Sequence, residues 1–191
     1  MKVVAFNGSP RSKGNTAILL NTVLDELKNE GIDTELVSLA GKTFPGCRAC
    51  YKCFETKDGH CVVTGDVVNE CIDKMSAADG ILLGSPTYFS DVTAGMKALI
   101  ERAGMTARAN PEIIRRKVGA GVVAVRRAGA QHAYTSLNLF FLIGEMIVVG
   151  SSYWNIGIGR EPGDVEKDAE GIDTMKVLGR NMAWLLKRVR G

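Results

Sequence analysis

The sequence predicts an α/β protein built on a doubly wound, five-stranded parallel sheet. Three observations carry that expectation. Short apolar segments alternate with segments of helical periodicity along all 191 residues. The short segments are apolar at consecutive positions, as strands buried on both faces are. Strand-like and helix-like segments also follow one another singly, the order that crossover connections of a parallel sheet impose.

The elements follow in order. Lys2–Phe6 is a β-type run ending at Asn7-Gly8. Residues 15–30 place Ile18, Leu19, Val23, Leu24 and Leu27 at helical spacing, and Gly31 stands where a left-handed residue closes a helix. Glu35–Leu39 reads as the second strand. Residues 40–65 break the rhythm with Gly, Pro and clustered cysteines. Val67–Ala78 returns to helical spacing, and Gly80–Gly84 is a short apolar strand ending in Ser85-Pro86. Val92–Ala103 reads as a helix, Lys117–Val125 as a β-branched strand, Gln131–Glu145 as a helix. Ile147–Gly150 opens a last strand, and Val165–Arg188 reads as a long C-terminal helix. No repeat or linker interrupts this series. Residues 1–191 are therefore expected to form one domain, with the Cys-rich insertion after strand two at about residues 40–65.

Composition narrows the function. Hydrophobic residues at 46% and charged residues at 24% suit a globular core. A net charge of +3, clustered only at Lys187, Arg188 and Arg190, argues against nucleic acid as a partner. The most apolar window, Leu137–Gly150, is shorter than the roughly 20 residues of a membrane helix and contains Glu145. The N-terminal apolar run breaks at Gly8, unlike a signal peptide. A cytoplasmic location is expected, where five cysteines serve as ligands or redox groups sooner than as disulfides.

In doubly wound folds, ligands sit beyond the carboxyl ends of the strands. The first such loop reads NGSPRSKGNTA. Five residues separate Gly8 from Gly14, and Asn15-Thr16 follows, so the spacing and lysine of a triphosphate-binding loop are missing. The dinucleotide fingerprint is missing as well. Ser9, Ser12, Asn15 and Thr16 supply donors, Arg11 supplies charge, and a helix N-terminus follows. That combination suits one terminal phosphate, and at the first turn of a five-stranded sheet it points to FMN. The same residues also suit a well-capped helix after a tight turn. Tyr88 and Phe89, after the third strand, offer aromatic faces to a flat heterocycle or to the core.

GSPRSKGNT together with GSPTYFSDVTAGMKALIER, residues 84–102, resembles the NADPH-dependent FMN reductase branch of the flavodoxin-like fold. The likeness spans most of the chain and implies strand order 2-1-3-4-5. It implies that Ser9, Arg11, Asn15 and Thr16 hold the FMN phosphate, and that Pro86, Thr87, Tyr88 and Phe89 lie against the isoalloxazine ring. Ala128-Gly129 takes the place of a glycine-rich flavin loop after strand four. Arg126 and Arg127 beside it suit anionic flavin, the phosphate of NADPH or plain solvent. No catalytic side chain is required, because the flavin carries the chemistry.

The insertion reads CRACYKCFETKDGHC: Cys47, Cys50 and Cys53 as C-x2-C-x2-C, then Cys61 after seven residues. Compact four-cysteine runs hold [4Fe–4S] clusters. Zinc, a Cys50–Cys53 redox pair and no metal at all remain open on spacing alone. The stretch resembles the cluster motif of the iron-sulfur flavoproteins, a subgroup of the same family. Cys71 falls within a helix and reads as structural. The resemblance implies an FMN-dependent oxidoreductase passing electrons through the cluster from a ferredoxin-like donor to oxygen, peroxide or a quinone. The alternative is a cluster-free NAD(P)H-dependent FMN or quinone reductase. A homodimer or homotetramer is implied, with Tyr153 and Trp154 serving either the contact or the core.

Overall fold

The computed structural model describes residues 1–190, the last of them through its backbone. One parallel sheet contains β1 (Lys2–Asn7), β2 (Asp33–Ser38), β3 (Gly80–Pro86), β4 (Val118–Val125), β5 (Ile147–Val148) and β6 (Ile156–Ile158). The order is β2-β1-β3-β4-β5, with β6 also on β4. The expected order 2-1-3-4-5 is therefore observed, with one correction. The fifth strand comes in two pieces, β5 opposite Val118–Gly119 and β6 opposite Val123–Val125. Gly150-Ser151-Ser152 offers no apolar side chain to bind the edge between them. Buried Asn155 bridges the gap, donating from Nδ2 to the Gly121 carbonyl at 3.0 Å and accepting the Val123 N–H on its own carbonyl at 2.9 Å.

The helices are α1 (Asn15–Asn29), α2 (Lys52–Thr56), α3 (Val68–Ala77), α4 (Ala94–Ala109), α5 (Ala130–Ile143) and α6 (Ala169–Arg190). Strand side chains alternate between two faces. Val3, Ala5, Leu82, Val118, Ala120 and Val122 pack with α1 and α6. Val4, Phe6, Ile81, Leu83, Val123 and Val125 pack with α3, α4 and α5. Both layers are buried, which is why the strands read as continuous apolar runs. Each fully buried Val or Leu contributes about 1.5–3 kcal/mol of transfer free energy.

Helix ends follow local chemistry. α1 closes as expected: Gly31, at φ +77°, donates to the Lys28 carbonyl, and Ile32 donates to Leu27. α4 starts two residues later than Val92 because Thr93 is its cap, accepting the Met96 N–H on Oγ1 at 3.2 Å. It runs on to Ala109, past the expected Ala103, until Asn110-Pro111 stops it. The C-terminal helix is interrupted. Asp164–Lys167 form a 3₁₀ turn, and Asp168 separates it from α6, accepting Gly171 N–H at 3.1 Å and Ile158 N–H at 2.6 Å. None of the described helices is long and apolar enough to cross a membrane.

Candidate functional site

The β1–α1 loop is wound by its own short side chains. Asn7 Oδ1 accepts the Ser9 N–H at 3.0 Å, and Ser9 Oγ accepts the Arg11 N–H at 3.1 Å. The Gly14 N–H returns to the Arg11 carbonyl at 3.2 Å. Gly14 then leads into α1 in an extended conformation, and no side chain caps the first turn. The amides of Asn15 and Thr16 stand at the positive end of the helix dipole. Thr16 Oγ1 is buried there without a hydrogen-bond partner. An unpartnered buried hydroxyl beside an uncapped helix N-terminus fits a phosphate group.

The β3–α4 loop closes over this cradle. Gly8 donates its N–H to the Gly84 carbonyl at 2.8 Å, so closely that a Cβ on Gly8 would lie 2.8 Å from Met96 Cβ. Thr87 donates its N–H to the Ala124 carbonyl, and its own Oγ1 is buried and unpartnered. A cleft of about 170 Å³ results, lined by Ser9, Arg11, Thr16, Pro86, Thr87 and Tyr88 among others. These six expected residues meet at one place.

The remaining expected residues are placed differently from these six. Asn15 borders the cleft, but its side chain is engaged elsewhere: Nδ2 donates to the Glu161 carbonyl at 3.0 Å, and Oδ1 accepts the Gly163 N–H at 2.9 Å. It ties α1 to the loop after β6, leaving only its backbone for a phosphate. Phe89 is not part of the lining. Tyr88 and Asp91 exchange backbone hydrogen bonds at 2.9 and 3.1 Å, which places Phe89 and Ser90 at a turn tip with φ of +48° and +64°. Asn and Gly normally occupy such a turn; here a fully exposed phenylalanine does. Ala128 and Gly129 also lie outside the lining, beside that tip, where a Cβ on Gly129 would sit 2.7 Å from Ser90 Oγ. Ala124, Arg126, Gly159 and Arg160 complete the cleft. Arg160 and Gly159 follow β6, the piece of strand that periodicity did not separate.

The insertion forms a second site. Cys47, Cys50, Cys53 and Cys61 line one small cavity together with Arg102, Met105 and Thr106 of α4. All five cysteines are free thiols. Ala49 and Tyr51 adopt φ of +52° and +57°, folding the C-x2-C-x2-C run tightly. Ala49 N–H points at Cys47 Sγ at 3.4 Å. The Lys52 N–H and the Arg48 side chain lower the pKa of Cys50, while burial raises that of Cys53.

Neighbouring helices hold this loop. Glu101 accepts the Cys47 N–H at 3.2 Å, and the Met105 carbonyl faces Cys53 Sγ at 3.6 Å. Asn69 of α3 makes a two-way clasp on Cys61, accepting its N–H and donating to its carbonyl, both at 2.9 Å. Among the described residues, no three His, Cys, Asp or Glu side chains converge tightly enough to hold a single metal ion. Cys71 lies apart in α3, fully buried, with its thiol pushed up to about 12 by burial.

The model of the NADPH-dependent FMN reductase family matches residues 1–161. The chain belongs to that family. Within it, the chain is 40% identical over the full length of both chains to an iron-sulfur flavoprotein of Methanocaldococcus jannaschii. It is 30% identical to one of Methanosarcina thermophila, covering all of this chain and 97% of that protein. These relatives place it in the iron-sulfur flavoprotein branch of the FMN reductase family. Solved structures share the fold. RosB, bound to 8-demethyl-8-formylriboflavin-5′-phosphate, superposes with a TM-score of 0.75 at 16% identity, over all of this chain and 80% of RosB. An archaeal flavodoxin gives 0.63 at 17%, over 98% of this chain and 99% of the flavodoxin. Membership assigns the chain FMN-dependent redox chemistry.

Proposed function

We propose that the chain is an FMN-dependent oxidoreductase that relays electrons through a [4Fe–4S] cluster. The observation that carries this reading is the placement of two cofactor-like sites along one helix. Thr93 at the start of α4 binds the phosphate cradle, Glu101 holds the Cys47 N–H, and Arg102 and Met105 line the thiol cavity. The nine residue steps from Thr93 to Arg102 span about 14 Å along the helix.

Ser9, Arg11, the amides of Asn15 and Thr16, and Thr16 Oγ1 hold the FMN phosphate in this reading. Pro86, Thr87 and Tyr88 flank the ring, with Phe89, Ala128 and Gly129 at its rim. Bound FMN supplies two-electron chemistry that can be released singly. The protein orients it and shields one face from water. Cys47, Cys50, Cys53 and Cys61 would hold the cluster. What supports a cluster is that all four thiols of the compact run line one cavity.

The donor is a ferredoxin-like carrier or NAD(P)H, and the acceptor a small molecule such as oxygen, peroxide or a quinone. Leu139, Leu142 and Ile143 on α5 are exposed, as are Tyr51 and Phe54 of the insertion. Most of them border a groove of about 560 Å³ beside Cys47. Such an apolar surface supports a homodimer or homotetramer. Tyr153 and Trp154, their ring centroids 4.6 Å apart and tilted by 56°, are exposed and suit a contact better than a core.

A second reading, a cluster-free NAD(P)H-dependent reductase, draws on Arg126 and Arg160 at the cleft, which suit a second phosphate. An anaerobic absorption spectrum with iron and flavin quantified per chain separates the two. Four irons per flavin and a dithionite-bleached shoulder support the cluster. A plain flavin spectrum with rapid NADPH oxidation supports the second reading, and protein that takes up no FMN overturns both.

A further inference from the structure

Arg102 is the largest fully buried side chain in the molecule, 1% exposed, and it borders the thiol cavity rather than the solvent. Its guanidinium is divided between two points of one loop. Nη1 donates to Asp66 Oδ2 and Nη2 to the Val63 carbonyl, both at 2.6 Å. Cys61 and Arg102 line the same cavity. Nε is buried with no hydrogen-bond partner. The Asp66 side chain is itself 9% exposed, so the ion pair is a buried one.

This arrangement answers a problem of spacing. Cys47, Cys50 and Cys53 are held near one another by a tight backbone, but Cys61 follows only after seven residues. A loop of that length does not by itself deliver a fourth ligand to a fixed point, because ordering each residue costs conformational entropy. Arg102 and Asn69 fasten residues 61–66 from outside, one from α4 and one from α3. Of the two, only Arg102 brings charge. A buried ion pair is seldom a source of net stability, so its presence beside four thiols calls for another role.

We propose that Arg102 is the positioning residue for Cys61 as fourth cluster ligand and that its fixed charge raises the reduction potential of the cluster. The proposal rests on the cluster reading of the previous subsection. Its chemistry is electrostatic: adding an electron to the cluster adds negative charge, which a buried cation favours and buried Asp66 opposes. The two residues should therefore move the potential in opposite directions, an outcome that a purely structural role does not produce.

The test uses the full-length wild type, Arg102→Lys, Arg102→Met and Asp66→Asn, each loaded anaerobically with FMN, ferrous iron and sulfide. Iron per flavin, the rate of iron loss to a chelator, and the cluster potential are measured. Arg102→Lys keeps the charge but lacks the planar fork, so chelator removes iron about 10–100-fold faster than from wild type. Its potential shifts less than that of Arg102→Met, which falls. The potential of Asp66→Asn rises. FMN affinity stays within twofold of wild type in all three, which shows that the fold survives. If Arg102→Met fails to bind FMN, Arg102→Lys and Asp66→Asn decide the matter alone. Wild-type iron retention in Arg102→Lys, or no rise in potential in Asp66→Asn, overturns the proposal. Wild-type protein that takes up flavin but no iron overturns the cluster reading itself, and this inference with it.

Discussion

Thr93 Oγ1 donates to the Gly8 carbonyl across 2.7 Å, joining two loops 85 residues apart in the chain. The same oxygen accepts the Met96 N–H, and the Thr93 N–H reaches Ser85 Oγ at 3.0 Å. One small side chain therefore caps α4 and pins the β1–α1 loop to the β3–α4 loop. The two halves of the proposed flavin cleft owe their spacing to it. Thr93→Val removes both bonds of the hydroxyl. Loss of a cap and of a buried hydrogen bond predicts about 1–2 kcal/mol lower stability. FMN affinity should fall in parallel, and Thr93→Ser should restore both. Urea unfolding and flavin fluorescence titration check this; equal FMN affinity in Thr93→Val would show that the cleft does not depend on the clamp.

Arg11 and Asn15 sit four residues apart and are predicted to behave differently. Arg11 is an exposed side chain at the cleft, and a charge-assisted bond to a phosphate is worth about 1.5–3 kcal/mol. Arg11→Ala should weaken FMN binding by roughly tenfold or more, more strongly at low salt, with little change in the melting temperature of the apoprotein. Asn15→Ala should do the reverse. It removes the bonds to Glu161 and Gly163, so apoprotein stability should drop by about 1–2 kcal/mol. Calorimetric melting without FMN, set beside FMN titration, tells the two patterns apart.

Sequence periodicity located the helices and the parallel order because both faces of the sheet are covered, and burial leaves a plain apolar signature. What stayed hidden depends on contacts between distant segments. Nothing near Asn15 announces that its amide faces residues 161–165. β6 was unreadable as a strand because Ile156–Ile158 has three residues and pairs at one edge only, and with it went the loop carrying Arg160. The family resemblance puts Phe89 against the ring face; the Tyr88–Asp91 pairing puts it at a turn tip. The four cysteines were legible from spacing, whereas Glu101, Arg102 and Asn69 were not. A lone Arg in a helix reads as a solvated charge until the fold buries it against Asp66.

Stability should depend on pH through Glu35 of β2. It pairs with Lys2 and with Lys74, both at 2.6 Å, linking β1, β2 and α3. The Lys2 and then the Lys74 hydrogen bonds hold its carboxyl below the ordinary value of 4.5, outweighing a small opposite effect of burial. A carboxyl depressed in the folded state adds stability above its unfolded pKa and loses it as pH falls through the folded one. Glu35→Gln should therefore be less stable than wild type at pH 7, by about 0.5–1 kcal/mol for a partly exposed network. The gap should narrow once pH drops below about 4.5 and close when Glu35 is protonated in the folded protein. Paired urea curves at pH 7, 5 and 3.5 measure it. A gap that stays constant would assign the loss to packing instead of charge.

Cys50 and Cys71 provide the sharpest contrast among the thiols. Cys50 borders the cavity, and Cys71 lies in the core of α3, where burial suppresses its thiolate. Cys50→Ala should abolish iron uptake and leave FMN binding unchanged, because the cradle and the cavity share α4 but no side chains. Cys71→Ala should keep full iron and flavin and lose only about 1 kcal/mol of stability from a small cavity. Alkylation of the metal-free native protein at pH 8 should spare Cys71 while modifying Cys50, since the thiolate is the nucleophile. Peptide mass mapping after a timed reaction reads this directly. A full complement of iron in Cys50→Ala would remove that residue from the ligand set, and early modification of Cys71 would mean that α3 opens from the core.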